Sequence, residues 1–221
     1  MLEAMAFFLL AFPALFSIVN PFGGVFIFLS ATERFHPSLR RQLARWVAIY
    51  SLIIINMSFY VGAYVLTFFG ISVPVLRVAG GIVIALAAWK MLNNDDQMAS
   101  GREQSAELLA GDTLRRMAFY PLTMPLTTGP GTISVAVSLG ANRPREFAEG
   151  QLLWFMAQIT LASILICAII YLLYRHAERI SRIIGATGTA VIMRLSAFLL
   201  FCIGIQIFWN GAAELLASLQ R

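Results

Sequence analysis

Charge is what this sequence has least of. Asp, Glu, Lys and Arg make up 12% of its 221 residues, about half of the roughly 25% usual in a soluble domain. The long apolar runs hold no Asp or Glu in their interiors, and Glu3 and Glu214 lie only near run ends. Both histidines, His36 and His176, fall in connections. Intramembrane hydrolysis by paired Asp, by Ser with His, or by zinc on His ligands cannot be assembled from such a set. The chain is therefore expected to be no enzyme and to hold no metal or other cofactor. The same lack argues against a proton relay of buried carboxylates. A sodium site of backbone carbonyls and Ser/Thr hydroxyls needs no carboxylate, so the identity of any coupling ion, sodium or proton, stays open. Cysteine is equally scarce: Cys167 and Cys202 lie inside apolar runs and read as small packing residues, not as a disulfide framework. No basic n-region precedes the first run in Met1-Leu2-Glu3-Ala4-Met5, so that run is expected to stay as a membrane span.

Apolar residues are what it has in excess. They make up 59% of the chain, with a mean hydropathy of +0.79, the composition of an integral membrane protein surrounded by a lipid bilayer. A pI of 9.7 does not imply a nucleic-acid partner, because the cations sit in short connections, where they set orientation. Six runs reach the roughly 20 residues needed to cross hydrocarbon. They extend over about Met5 to Ser30, Trp46 to Phe69, Val75 to Leu92, Met117 to Leu139, Gln151 to Tyr174 and Thr189 to Leu216. Gly70-Ile71-Ser72-Val73-Pro74 makes a very short turn, and residues 93–116 form the longest polar stretch.

Two of these runs are interrupted in mid-length by helix-start signals, Asn20-Pro21-Phe22-Gly23-Gly24 in the first and Thr128-Gly129-Pro130-Gly131-Thr132 in the fourth. Asn is a preferred N-cap and Pro a preferred first helical residue, because first-turn N–H groups have no partner within the helix. At membrane depth such a break is tolerated only where the freed groups face protein or a polar cavity. A plain Pro or Gly kink is the bland alternative; two matched breaks with capping chemistry favour a binding site. The candidate N–H donors are Phe22, Gly23 and Gly24 at one break and Gly131, Thr132 and Ile133 at the other. Half-helix N-termini carry partial positive charge and suit a carboxylate, while freed carbonyls before each break suit an ammonium. A small zwitterion satisfies both.

The halves correspond. Asn20-Pro21-Phe22-Gly23 matches Gly129-Pro130-Gly131-Thr132, and Arg77-Val78-Ala79-Gly80 matches Arg194-Leu195-Ser196-Ala197, in the same order. The expected organisation is a three-helix repeat over 1–92, a cytoplasmic connector over 93–116 and a second three-helix repeat over 117–221. Eleven cations fall on one side: Arg34, Arg40, Arg41, Arg45, Lys90, Arg102, Arg115, Arg116, Arg175, Arg179 and Arg182. Arg143, Arg145 and Arg221 fall on the other. The excess of Lys and Arg on the cytoplasmic side then places both termini outside the cytoplasm. Three spans per half make the repeat inverted, so the two second half-helices run in opposite directions and their N-termini meet near the midplane. Trp46, Trp89 and Tyr174 are expected at cytoplasmic headgroup level. Arg77 and Arg194 are candidates for gating or for a structural role, since a long side chain near a span end can snorkel. Ala79-Gly80-Gly81 reads as close helix packing, and Asn56, Gln158, Gln206 and Asn210 read as interhelical hydrogen-bond partners. An aquaporin-like channel also has inverted halves and paired Asn-Pro motifs, but in loops after the second and fifth spans, with Asn in both.

The runs Asn20-Pro21-Phe22-Gly23, Gly70-Ile71-Ser72-Val73-Pro74-Val75-Leu76-Arg77-Val78-Ala79-Gly80-Gly81 and Pro121-Leu122-Thr123-Met124-Pro125 resemble the MarC family. So do Thr128-Gly129-Pro130-Gly131-Thr132-Ile133 and Arg194-Leu195 leading into Gly204-Ile205-Gln206. The resemblance covers essentially the whole chain and implies a six-span protein of the bacterial inner membrane. The family is named for multiple antibiotic resistance and includes SnatA-type small neutral amino acid transporters, so the resemblance implies transport of the glycine and alanine class. An exporter of amino acids or of another small metabolite shares the architecture, and a non-transporting scaffold or stress-response protein is the reading from another class. Small-residue faces permit a homo-oligomer without requiring one.

Overall fold

In hydrocarbon an apolar run satisfies all its backbone groups within itself only as a helix. The computed structural model describes residues 5–33, 35–93, 111–141 and 149–219, and these are helical almost throughout, with no strand among them. The elements are α1 (Ala6–Val19), α2 (Pro21–Ala31), α3 (Pro37–Phe68), α4 (Val73–Asn93), α5 (Gly111–Met117), a π-helical segment (Ala118–Thr127), α6 (Pro130–Ala141), α7 (Glu149–Arg175) and α8 (Ala177–Leu219). Among the described residues, five stretches are long and apolar enough to cross a bilayer: Ala6–Ala31, Pro37–Phe68, Val73–Asn93, Leu152–Arg175 and Ala177–Leu219. The chain is an all-helical integral membrane protein. Large apolar side chains such as Leu10, Tyr64, Leu86, Leu153 and Trp209 are more than half exposed on its outside, the surface lipid would cover.

The fourth expected span is no single long helix. Pro121 and Pro125 lack N–H groups and push the residues before them out of the α region. Tyr120 (φ −129°, ψ 123°) and Met124 (φ −108°, ψ 119°) are accordingly extended, and only Pro130–Ala141 remains as a regular apolar helix. At the other boundaries, α3 begins at Pro37 behind His36, whose ring accepts from Ser38 N–H, so two polar turns precede the apolar stretch. α8 begins at Ala177 and breaks at Gly185 (φ 75°, ψ 171°), a conformation open essentially to Gly alone. Of the expected connector, 94–110 lies outside the described residues, as do Glu3, Arg34, Arg102, Arg143, Arg145 and Arg221.

The helices pair in a regular way. α3 packs on α6, α7 and the π segment; α7 packs on α1, α2 and α3. α4 packs on α6 and α8, and α8 on α2 and α4; α1 meets α6 while α2 meets the π segment. The α4–α8 contact is the most extensive and is made backbone to backbone. A Cβ on Gly81 would lie 2.7 Å from Gly204 O, and one on Gly204 would lie 2.6 Å from Ala85 N. The main core gathers Leu15, Val25, Leu43, Leu122, Ile170 and Tyr174 where α1, α2, α3, α7 and the π segment meet. Asn56 donates to Ser163 Oγ at 2.9 Å across α3 and α7, and Gln158 accepts the first-turn N–H of Phe8 at 3.2 Å across α7 and α1. Gln206 instead donates to Asn210 within α8.

Candidate functional site

The first break is made by one residue. Asn20 is left-handed (φ 46°, ψ 62°), a conformation Asn tolerates better than most side chains. Its N–H closes α1 on Phe16 O at 3.0 Å, and its carbonyl accepts from Gly24 N–H at 2.9 Å to start α2. Its Oδ1 accepts from Gly23 N–H at 3.2 Å, with Pro21 in the first helical turn. Of the three donors expected here, Gly23 and Gly24 are thus engaged by Asn20 itself, and Phe22 N–H lies outside these bonds. The Phe22 ring is 54% exposed and meets Phe16 edge-on at 5.8 Å.

The second break has a different construction. Thr128 (φ −124°, ψ 74°) donates its N–H to Thr123 O at 2.8 Å, and Gly129 O accepts from Ile133 N–H at 3.2 Å to start α6. Gly129 has no side chain to cap Gly131 or Thr132, so this helix start keeps first-turn donors that Asn20 takes up at the other. Thr128 and Thr132 are buried, at 0% and 2% exposed, Gly131 is buried, and Pro130 is exposed.

The glycines admit neighbours. A Cβ on Gly23 would lie 3.0 Å from Ser196 Cβ, one on Gly24 2.5 Å from Tyr174 Oη, one on Gly131 2.3 Å from Ile84 Cγ1, and one on Gly129 2.9 Å from Pro125 O. Their Cα faces, read from sequence as an approach for a ligand, are occupied by protein. Ile84 is near the middle of α4, so the start of α6 lies at mid-depth of that helix.

Tyr174 joins the two breaks. Its hydroxyl packs on Gly24 and lies 3.1 Å from Thr127 Oγ1. Thr127 gives its own proton to Leu122 O at 2.8 Å, so the phenol is the donor between them. Tyr174 also stacks on Phe28 at 4.5 Å. At 1% exposed it is no headgroup-level aromatic, although Arg175 follows it. Side chains lean toward a helix N-terminus, which here carries the ring back into the protein. Trp89 by contrast is 53% exposed, and Trp46 lies under the Arg115 guanidinium at 4.5 Å. Ser51 of α3 accepts from Thr128 Oγ1 at 2.7 Å, gripping the second break from the other side. From sequence, Ser51 and Thr127 are not expected at the site, Tyr174 is expected at the headgroup level, and Ser196 enters only as part of the internal match.

Arg77 stands away from this cluster. Arg77 donates from Nε to Ser138 Oγ of α6 at 2.8 Å and is ion-paired with Glu214, whereas Arg194 is an exposed residue of α8. Arg40, counted from sequence only as an orienting cation, is 8% exposed. It donates to Thr32 O at 3.0 Å, Glu33 O at 3.3 Å and Phe35 O at 3.4 Å just beyond α2. A cavity of about 150 Å³ lies among Phe59, Tyr60, Gly140, Leu152, Phe155 and Met156. One of about 560 Å³ lies among Tyr50, Asp112, Arg115, Arg116, Phe119 and Tyr120. Neither borders the breaks. No group of three or more His, Cys, Asp and Glu is placed to hold a metal among the described residues.

Comparison with known sequences matches residues 5–216 to the family described as MarC family integral membrane protein. The UPF0056 inner membrane protein MarC of Salmonella paratyphi A is 31% identical over 206 residues, 92% of this chain and 93% of its own length. The protein of the same name from Escherichia coli O139:H28 is 31% identical over 208 residues, with the same coverage. No solved structure matches the chain.

Proposed function

We propose that this chain, which belongs to the MarC family of integral membrane proteins, is a transporter of small neutral amino acids, the glycine and alanine class, and not an enzyme. The observation that carries the reading is the pair of helix starts at Asn20-Pro21 and Gly129-Pro130, held against each other through Tyr174. A helix start within a membrane segment is a preformed place for a carboxylate. In this reading the uncapped turn at Gly131 and Thr132 supplies donors, and Asn20 to Gly24 and Thr128 to Pro130 are the other binding residues. The Phe22 ring, exposed beside the first break, limits the side chain a substrate can carry.

The element pairings support two inverted three-helix repeats, 1–92 and 117–221, in an alternating-access transporter. Exchanging α1–α2 with the π segment and α6, α3 with α7, and α4 with α8 turns the more extensive pairings into one another or into themselves, while α1–α8 and α7–α8 have no such counterpart. Thus α1–α7 becomes π–α3, α2–α8 becomes α6–α4, α2–α7 becomes α6–α3, and α1–α6 becomes π–α2. The distribution of Lys and Arg then sets both termini outside the cytoplasm, and the relatives' names support the inner membrane.

Thermal unfolding of the purified protein against a panel of amino acids, with and without sodium, tests the reading. A ligand of the folded state raises the melting temperature by mass action. Glycine or alanine is expected to do so, and Phe22→Ala is expected to extend the response to valine and leucine. The absence of a shift with every amino acid at millimolar concentration overturns it and favours another metabolite or a scaffold.

A further inference from the structure

Of the five spans among the described residues, α8 is the least buried, and it meets its own chain along one face. Ala197, Gly204 and Gly211, recurring every seventh residue, are buried there. Built Cβ atoms on Gly204 and Gly211 would lie 2.6 Å from Ala85 N and 2.6 Å from Pro74 O of α4. On the opposite face Leu195, Leu199, Cys202, Gln206, Trp209 and Ala213 are all exposed. Their steps of four, three, four, three and four residues are the 3.5-residue period that keeps one stripe turned toward one partner helix over several turns. The stripe is not apolar throughout. Gln206 follows Gly204 by two residues, and Gly204 stands beside Ala85 near the middle of α4. At 1.5 Å per residue, Gln206 therefore lies only about 3 Å from the mid-depth of that helix. Its Nε2 donates to Asn210 Oδ1 at 2.9 Å. The second Nε2 hydrogen and Oε1 of Gln206 have no protein partner among the described residues. The outward faces of α3 and α7 carry no such group in their middle turns, where Ile53, Met57, Leu161, Ile164 and Leu165 are exposed.

We propose that a second copy of this chain docks on that stripe, α8 against α8, about a two-fold axis along the membrane normal. Lipid tails offer an amide neither donor nor acceptor, so leaving it against them is costly. A Gln or Asn on a transmembrane face is instead satisfied across to another helix. Two copies inserted in the same sense lie parallel, and a two-fold axis sets each residue of the interface against its own counterpart. Gln206 is complementary to itself: the free Nε2 hydrogen of each copy goes to Oε1 of the other, and both amides are satisfied. An unrelated partner needs a matching amide at the same depth, whereas a second copy has one by symmetry. One polar side chain in an otherwise apolar stripe also fixes the register of the pair, and the bulk of Trp209 is accommodated beside Ala213 one turn on.

Oxidative cross-linking in native membrane vesicles and dimerisation in liposomes test this. Two differently tagged copies of the chain, both carrying Cys167→Ala, are produced together. The remaining thiol is the native, exposed Cys202, or is moved by Cys202→Ser to Leu199→Cys, to Ala213→Cys, or to the outward Ile164→Cys of α7. Adducts of twice the chain's mass that hold both tags are expected from the thiols of the stripe and not from Ile164→Cys. Gln206→Leu alters an exposed side chain on the face turned away from α4, so it keeps the fold. It is expected to weaken dimerisation about three- to twentyfold, read by energy transfer between labelled copies as the protein is diluted in lipid, and Gln206→Asn, which keeps an amide, is expected to lose less. No adduct from any thiol of the stripe, adducts formed as readily from Ile164→Cys, adducts only with an unrelated protein, or dimerisation unchanged in Gln206→Leu overturns the proposal. No amino acid enters either measurement, so the outcome is independent of the transport reading.

Discussion

Tyr174 shows most directly how single residues hold the two breaks. Its ring is sandwiched into the core on Phe28, and its hydroxyl touches the first break at Gly24 and the second at Thr127. Gly24→Ala would drive a methyl against that hydroxyl, since the built Cβ lies 2.5 Å from it. Overpacking of this kind typically costs about 1–3 kcal/mol, to be read as a lower melting temperature in detergent. Adding Tyr174→Phe removes the colliding oxygen and is expected to recover most of the loss, whereas Tyr174→Phe alone loses the bond to Thr127. Asn20 allows a second residue-scale prediction. Asn20→Gly keeps the left-handed turn and is expected to cost only a few tenths of a kcal/mol through the lost cap. Asn20→Ala loses the cap and also strains the turn, about 1–2 kcal/mol for the first and about 1–2 kcal/mol for the second. Equal stability of the two variants would show that the left-handed backbone is not what the site requires.

The two discontinuous elements differ in what supports them. α1–α2 carries its own joint, because Asn20 closes one helix and opens the next. The π segment and α6 depend on neighbours: Ser51 of α3 takes the Thr128 hydroxyl, and Tyr174 of α7 holds Thr127. Thr128→Val therefore leaves the buried Ser51 hydroxyl without this donor and is expected to cost about 1–3 kcal/mol, measured by thermal unfolding. α8 offers a cleaner backbone test at Gly185. No atom lies within 4 Å of a Cβ built there, so Gly185→Ala meets no steric contact, and any loss comes from its conformation (φ 75°, ψ 171°). That loss is expected at about 1–3 kcal/mol. An unchanged melting temperature would mean that α8 runs on through this position.

At the scale of the whole molecule, the longest contact is α4 along α8, the third elements of the two proposed repeats. Gly81 and Gly204 face backbone there, not flexible side chains, with built Cβ atoms 2.4 Å from Phe208 N and 2.6 Å from Ala85 N. Gly81→Leu cannot be absorbed by a rotamer change and must push the helices apart. It is expected to abolish recovery of monodisperse protein, while Ala79→Leu, an exposed position of the same helix, is expected to be recovered normally if that face meets lipid. Around this seam the elements exchange partners as two equivalent sets would, which is why the short internal matches in the sequence, weak one by one, carry weight together.

Composition and periodic placement of Asn, Pro and Gly determined the membrane class, most span boundaries and the positions of both breaks. Each of these is a local matter: apolar run length sets a span, and a missing N–H or a left-handed residue ends a helix within one turn. Which faces those breaks present was decided only by the tertiary structure. Asn20 satisfies Gly23 by folding back on its own turn, Ile84 and Tyr174 fill the glycine faces, and Tyr174 turns inward although it sits beside Arg175. Arg40 was a surface cation by sequence and is a buried clamp in the fold. These outcomes depend on partners far away along the chain. A side chain's direction follows from the helix packed against it, and no spacing rule records that packing.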